Sequence, residues 1–475
     1  MNLLRRTVLL TLALTLPTAA APPNIVLIMP DDVGYGDYSF LGNPVVRTPA
    51  VDAFCKQGVR FTDVQVAPTC SPTRSSILTG RHEFRNGVTH TIHERERLTL
   101  RATTLAQVLK SAGYTTGIFG KWHLGDEEAY RPENRGFDEV YIHGAGGIGQ
   151  SYPGSCGDAP GNTNLNPALW HNGQFEKTSG YCTDLFFARA IEWIDEQRAG
   201  SKPFFAFITP NAAHSPHVLP EDDYRHLLPK LAGRKDAREL AKFLGMIENI
   251  DANFGKLLGR IDTWGLAGNT LVIYMASDNG GTDGAALFDA GLRGTKGSPW
   301  QGGTRTWACW RWPAGFAGPA ECDALTSRVD IFPTLAGIAG AALTDDVRAQ
   351  VEGRSLLPLL RDPKAAWPDR TLVTHVGRWE PGENPATMKY ERCAIRNARF
   401  TLVNNRQLFD LSADPGEKTN VIDRHPEVAA RLRADYEAWW TSVQPQLVNE
   451  AAHRTAPAVN PFKELYERQF GTDRP

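Results

Sequence analysis

Four short apolar runs each end in residues that can do chemistry. Asp31 and Asp32 follow residues 24–29, and Lys121 and His123 follow residues 115–119. His214 follows residues 204–209, and Asp278 and Asn279 follow residues 270–276. Three carboxylates gathered in one place repel unless a cation sits among them. A donor set of oxygens without thiolates or obligate imidazoles favours Ca2+ or Mg2+. A lysine and two histidines beside such a centre can hold an anion and move protons. A lone Asp-Asp pair is usually a solvated turn, but aspartates that abut buried strands are not explained that way. A fifth stretch runs from Cys70 through Ser71, Pro72, Thr73 and Arg74 to Gly80. Pro72 suits a first helical turn and Gly80 a C-cap. Cys70 then stands at a helix N-terminus, where backbone N–H groups and the dipole favour anions. It reads either as an activated nucleophile or as a small buried hydrophobe.

The four runs are rich in β-branched residues and alternate with helical patterns at 103–112, 184–196 and 240–258. That alternation predicts an α/β fold: a large, doubly wound, mostly parallel sheet flanked by helices. Such sheets bind ligands outside the carboxyl ends of their strands, where these residues stand. Beyond residue 370 the texture changes. Short strands are expected at 371–376, 394–396, 400–403 and 407–410, followed by a helix carrying Val428, Leu432, Tyr436 and Trp440. The expected organisation is a signal peptide at 1–21, a catalytic α/β domain at 22–370 and a smaller C-terminal antiparallel α+β subdomain with helix and tail at 371–475. Residues 451–475 are polar and are expected to wrap the surface or fray.

Residues 1–21 place Arg5 and Arg6 before an apolar stretch, then Pro17 and small residues. This predicts export, to the periplasm or outside the cell. No later run is long enough to span a bilayer, so no stable membrane anchor is expected. The formal charge of the 475-residue chain is −2, and removal of the two arginines leaves −4. That lacks the basic excess of a nucleic-acid binder. Seven cysteines leave at least one unpaired, and without a C-x-x-C pair zinc is not expected. Proximity along the chain suggests Cys156 with Cys182 and Cys309 with Cys322, against an equal alternative of buried free thiols. Gly144-Ala145-Gly146-Gly147-Ile148-Gly149 is not read as a dinucleotide loop, for want of a strand–helix context.

The stretch C-S-P-T-R-S-S-I-L-T-G-R at 70–81 resembles the signature of the type I, formylglycine-dependent sulfatases, an arylsulfatase-like family of the alkaline phosphatase-like superfamily. The resemblance extends to P-N-I-V-L-I-M-P-D-D at 23–32, G-K-W-H-L-G at 120–125, S-D-N-G-G at 277–281, L-R-G-T-K-G at 292–297 and L-F-D-L-S-A-D-P-G-E at 408–417. It implies that Cys70 is oxidised to formylglycine by a formylglycine-generating enzyme. It also implies that Asp31, Asp32, Asp278, Asn279 and residue 70 bind Ca2+, with Mg2+ as a substitute. Arg74 would neutralise residue 70 and its carboxylates, and Lys121 and Lys296 would hold sulfate oxygens. His123 would assist the attacking hydroxyl, and His214, with His217 as a competitor, would sit by the leaving oxygen. The hydrated aldehyde has two hydroxyls on one carbon, so one can attack sulfur and the other can release the adduct. The implied substrate is a sulfate monoester, of a sulfated carbohydrate or an aryl sulfate, as a small molecule or a glycan. Residues 141–181, Trp300, Trp379 and the start of the subdomain are expected to line the outer pocket, with the equal alternative that the aromatics there are core. A phosphate or phosphonate ester hydrolase of the same superfamily is the competing enzyme reading. A catalytically silent protein that keeps the metal pocket is a reading of a different class.

Overall fold

In a computed structural model the chain is described at residues 22–150, 152, 154–380, 383–448 and 460–472. The expected signal peptide lies outside the described residues. The strand Asn24–Ile28 sends Ile25 and Leu27 into one apolar cluster and Val26 and Ile28 into another. A strand apolar on both faces needs cover on both, as the middle of a parallel sheet provides. It pairs in parallel with Phe204–Thr209 and Thr270–Met275, and Thr115–Lys121 joins in parallel beyond Phe204–Thr209. The four runs singled out in the sequence are therefore four consecutive strands at the centre of an 11-stranded sheet.

Glu139–His143 continues the parallel order on one flank, and the hairpin of Ala168–His171 and Gln174–Lys177 closes that edge. On the other flank Arg305–Arg311 runs antiparallel to Thr270–Met275, and Val59–Gln65 runs antiparallel to Arg305–Arg311. Helices Cys182–Gln197 and Ala237–Thr263 cover one face through Phe186, Trp193, Phe243 and Ile250. Helices Cys70–Thr79, Leu105–Ser111 and Ile331–Ile338 cover the other through Ile77, Leu105 and Phe332.

A separate antiparallel sheet holds Leu372–His375, Cys393–Arg396, Phe400–Val403 and Gln407–Asp410 in that order. Leu432, Tyr436 and Trp440 of helix Pro426–Val443 pack on it with Ile395 and Leu402. Phe84 of the large unit enters the same cluster, and Arg396 pairs with Asp63 at 2.8 Å. Of the two expectations for the tail, Pro461–Phe470 follows the first and packs back on the large unit as a helix. That helix buries Phe462 against Trp170 and Phe175 of the edge hairpin. Residues 451–459 lie outside the described residues. All seven cysteines are free thiols. Cys309, paired with Cys322 by proximity in the chain, instead donates its thiol to the Phe54 carbonyl at 4.0 Å. Among the described residues, no helix is long and apolar enough to cross a membrane.

His375 gives the small sheet a pH dependence. It is buried, stacks on Trp440 and Tyr436, and donates through Nε2–H to the Met388 carbonyl. Burial pulls its imidazole from 6.5 down to about 4. The unfolded chain therefore binds a proton at a pH where the folded chain does not. The stability present above pH 6.5 is lost as pH falls toward 4. The contribution is about 3 kcal/mol for a fully buried group. The unfolding free energy of His375→Phe, measured in denaturant at several pH values, is expected to fall less over this range than that of the wild type.

Candidate active site

The four central strands deliver their C-terminal residues to one edge, and backbone bonds lock the deliveries together. Asp31 N–H donates to Ala212 O at 2.9 Å, and Ala213 N–H donates to Asp31 O at 2.6 Å. Val33 N–H donates to the Ser277 hydroxyl at 3.1 Å. Gly120 precedes Lys121 with φ +125°, and a Cβ there would stand 2.0 Å from Thr209 O. Only glycine lets the two strands approach so closely. Asp32 and His123 also hold positive φ, 63° and 57°, a strained backbone kept where side chains must be aimed.

Helix Cys70–Thr79 is buried along its whole length and ends at Gly80, in the left-handed region with φ 69°. Cys70 is its first residue, as the position of Pro72 suggested. Arg74 reaches from the next turn to Asp278. Its Nε donates at 2.9 Å and its Nη2 pairs at 2.7 Å, while Nη1 donates to Lys121 O at 2.9 Å.

Asp31, Cys70 and Asp278 each offer a ligand atom, and these atoms lie within 4.8 Å of one another. Lys121 Nζ donates to Asp31 Oδ2 at 2.6 Å, and Lys296 Nζ donates to Asp32 Oδ2 at 2.8 Å. Asn279 Nδ2 donates to Asp32 Oδ1 at 2.9 Å. Among the described residues, Oδ1 of Asp31, of Asp278 and of Asn279 is buried without a hydrogen-bond partner. Three orphaned oxygens in one place are costly unless a cation takes them. The donor set thus fits a hard divalent ion.

Electrostatics divide the carboxylates. Burial pushes Asp31 up to about 6 against the pull of Lys121. Burial also raises Asp278 to about 6, helped by Asp31 and opposed by Arg74. Burial would raise Asp32 too, but Lys296 and His214 outweigh it and hold the carboxyl below its usual range. Burial pulls on the Lys121 ammonium, yet Asp31 raises it overall, so it stays charged.

His123 Nε2–H donates to Glu96 Oε2 at 2.5 Å, and Glu96 Oε1 accepts from Cys156 N–H at 2.7 Å. The carboxylate fixes the proton on Nε2 and leaves the Nδ1 lone pair facing Cys70 Sγ, 3.6 Å away. Burial keeps the ring neutral by lowering its pKa, although Glu96 acts the other way. Sequence reasoning missed Glu96, which lies 27 residues before His123 in a segment with no strand to announce it. Glu96→Gln is expected to lower kcat/KM for an aryl sulfate about 10–100-fold, as loss of an orienting carboxylate does elsewhere. Steady-state assays check it.

His214 Nδ1–H donates to Ser215 O at 2.6 Å, and its Nε2 lies 3.7 Å from Asp32 Oδ2. Burial brings its pKa down to about 3. His217 turns elsewhere, toward Asp283 at 3.8 Å and Glu239 at 4.0 Å. The 144–149 stretch follows a strand but leads into turns, not a helix. Its glycines press on both imidazoles. A Cβ at Gly146 would be 2.8 Å from His123 Cε1, and one at Gly147 would be 2.8 Å from His214 Nδ1. Trp300 leaves the expected pocket lining to pack under Arg293, 3.6 Å from guanidinium to ring. Trp379 is buried against Phe84 and Arg95.

The sheet order and this constellation define a hydrolase of the alkaline phosphatase-like kind. The Sulfatase family model matches residues 23–341. Arylsulfatase A of Bos taurus is 33% identical over 468 residues, covering 88% of this chain and 87% of its own. N-acetylgalactosamine-6-O-sulfatase of Bacteroides thetaiotaomicron is 29% identical over 86% of this chain and 91% of its own. Ps i-CgsB, solved in complex with k-i-k-neocarrahexaose, superposes with a TM-score of 0.77 at 27% identity, covering 95% of this chain and 98% of that one. The chain belongs to the sulfatase family, and its activity is hydrolysis of sulfate esters.

Proposed function

We propose that the protein is an exported sulfatase that cleaves sulfate monoesters of carbohydrates, using formylglycine made from Cys70 and a bound Ca2+. The observation that carries this reading is the convergence of Cys70 with Asp31 and Asp278 within 4.8 Å, flanked by Lys121. Asp31, Asp32, Asp278, Asn279 and residue 70 would hold the ion. Bound there, Ca2+ supplies a positive centre that draws charge from sulfate oxygens. Formylglycine supplies, as its hydrate, a hydroxyl nucleophile where a thiol stands in the unmodified chain.

The remaining work falls to the chain's own side chains. Lys121 and Lys296 present two ammonium groups to an anion that would otherwise repel the nearby carboxylates. Arg74 neutralises Asp278 and fixes Lys121 through its carbonyl. His123 accepts a proton at Nδ1 from the group at residue 70, and Glu96 stabilises the charged ring. His214, its Nδ1–H held by Ser215 O, would take up at Nε2, beside Asp32, the proton that it passes to the leaving oxygen. A carbohydrate substrate is supported by the sugar-sulfatase relatives. Export is supported by Arg5, Arg6 and the apolar stretch that follows.

The test has two parts. Mass spectrometry of the peptide containing residue 70, from protein made alongside a formylglycine-generating enzyme, should show sulfur and two hydrogens replaced by one oxygen. Parallel assays should show turnover of 4-nitrophenyl sulfate well above that of aryl phosphodiesters and phosphonates. An unmodified thiol in a fully active enzyme refutes the maturation, and preference for a phosphorus ester refutes the sulfatase assignment.

A further inference from the structure

A cavity of about 400 Å³ opens from His123 and Glu96, and beyond them its walls include Gln150, Tyr152, Arg378 and Glu380. None of these four belongs to the catalytic set. The Gln150 carboxamide lies across the two glycines that touch the histidines. A Cβ at Gly146 would be 3.3 Å from its Oε1, and one at Gly147 would be 2.9 Å from its Nε2. Its side chain makes no hydrogen bond among the described residues. An unengaged amide beside the two imidazoles is both donor and acceptor, which suits a ring hydroxyl.

Arg378 is exposed and makes no ion pair among the described residues, yet its backbone is held. Val376 and Trp379 on either side are 1% and 4% exposed. Gly377 between them packs on Phe84 and Thr89. Arg378 also acts on a buried neighbour. The imidazole of buried His90 is lowered first by burial and then by Arg378, ahead of Arg95, Arg392 and Lys296. A guanidinium on a held backbone, without an ion-pair partner among the described residues and on the wall of a cavity, is suited to an oxyanion. Glu380 puts a carboxylate on the same wall, so the preference must come from one defined point and not from a diffuse positive surface.

Resting on the sulfatase reading, we propose that this cavity receives the alcohol part of the ester, and that Arg378, with Gln150, selects hydroxyl-rich substrates bearing a second anionic group. A carboxylate and a second sulfate share the chemistry that Arg378 recognises. The experiment measures sulfate release from 4-nitrophenyl sulfate, from neutral monosulfated disaccharides, and from counterparts carrying either a uronate carboxylate or a second sulfate.

The anion-bearing counterparts are expected to show the highest kcat/KM, and comparing the two sets identifies which anion is preferred. Arg378→Ala is expected to lower that value about 10–100-fold, mainly through KM, with part recovered in Arg378→Lys. Gln150→Ala should lower it by a smaller factor. Turnover of 4-nitrophenyl sulfate by Arg378→Ala should change by less than about threefold. Highest activity on neutral monosulfated sugars overturns the subsite, as does an equal loss on every ester in Arg378→Ala. In both cases wild-type turnover of the aryl sulfate leaves the sulfatase reading standing. Absence of turnover on every sulfate ester overturns the sulfatase reading and the subsite with it.

Discussion

Cys70→Ala and Cys70→Ser are each expected to lower kcat for 4-nitrophenyl sulfate on the order of 10⁴-fold or more, the scale seen when a catalytic nucleophile is removed. Alanine offers no nucleophile. Serine offers one hydroxyl, so a sulfated intermediate could form but would have no second hydroxyl to expel it. The two variants therefore separate in a single-turnover experiment, in which serine, but not alanine, should accumulate covalent sulfate detectable by mass spectrometry. Alanine removes one sulfur atom, and serine exchanges it for oxygen, at the start of a helix whose ten residues are all buried. Circular dichroism and a melting curve distinguish chemical loss from misfolding. Full turnover in either variant removes residue 70 from the mechanism.

Lys121→Met is expected to be nearly as damaging, for two reasons that different measurements resolve. Lys121 is fully buried and its Nζ is 2.6 Å from Asp31. Methionine keeps much of the apolar stem but removes the ammonium. Loss of one preorganised charge facing the sulfate should reduce kcat about 10²–10³-fold. Removing one partner of a buried ion pair should cost about 3–5 kcal/mol of stability when no cation is bound. Asp31 would then be buried and unpaired beside Asp278. Added Ca2+ gives those carboxylates a new partner, so it should raise the melting temperature of Lys121→Met by more than that of the wild type. Equal shifts in both proteins would mean that Asp31 does not share the ion's site.

How much of this could be read beforehand differs from residue to residue. Asp31, Asp32, Lys121, His123, His214, Asp278 and Asn279 were visible because each follows an apolar run, and four such runs in one parallel sheet must end at one edge. Their strands proved to be neighbours in the sheet. Val59–Gln65 and Arg305–Arg311 were not visible. Arg60, Asp63, Arg305 and Arg311 break the apolar pattern, and their charges find partners only across the fold, as Asp63 does with Arg396. The helix Pro461–Phe470 reads as a polar tail in the sequence, because a few apolar residues among charges do not reveal the aromatic partners at a hairpin edge.

The sequence by itself determined the class of fold, the residue types proposed for the site and the edge of the sheet where they collect, since local periodicity and turn chemistry are carried by neighbouring residues. Tertiary structure alone decided that Glu96 orients His123, that Gly146 and Gly147 lie against the two imidazoles, and that His217 faces away while His214 faces Asp32. It also decided that Arg378 lines the same cavity as His123 and Glu96. Those relations join segments far apart in the chain. They depend on packing distances and burial, which no local pattern of residues encodes.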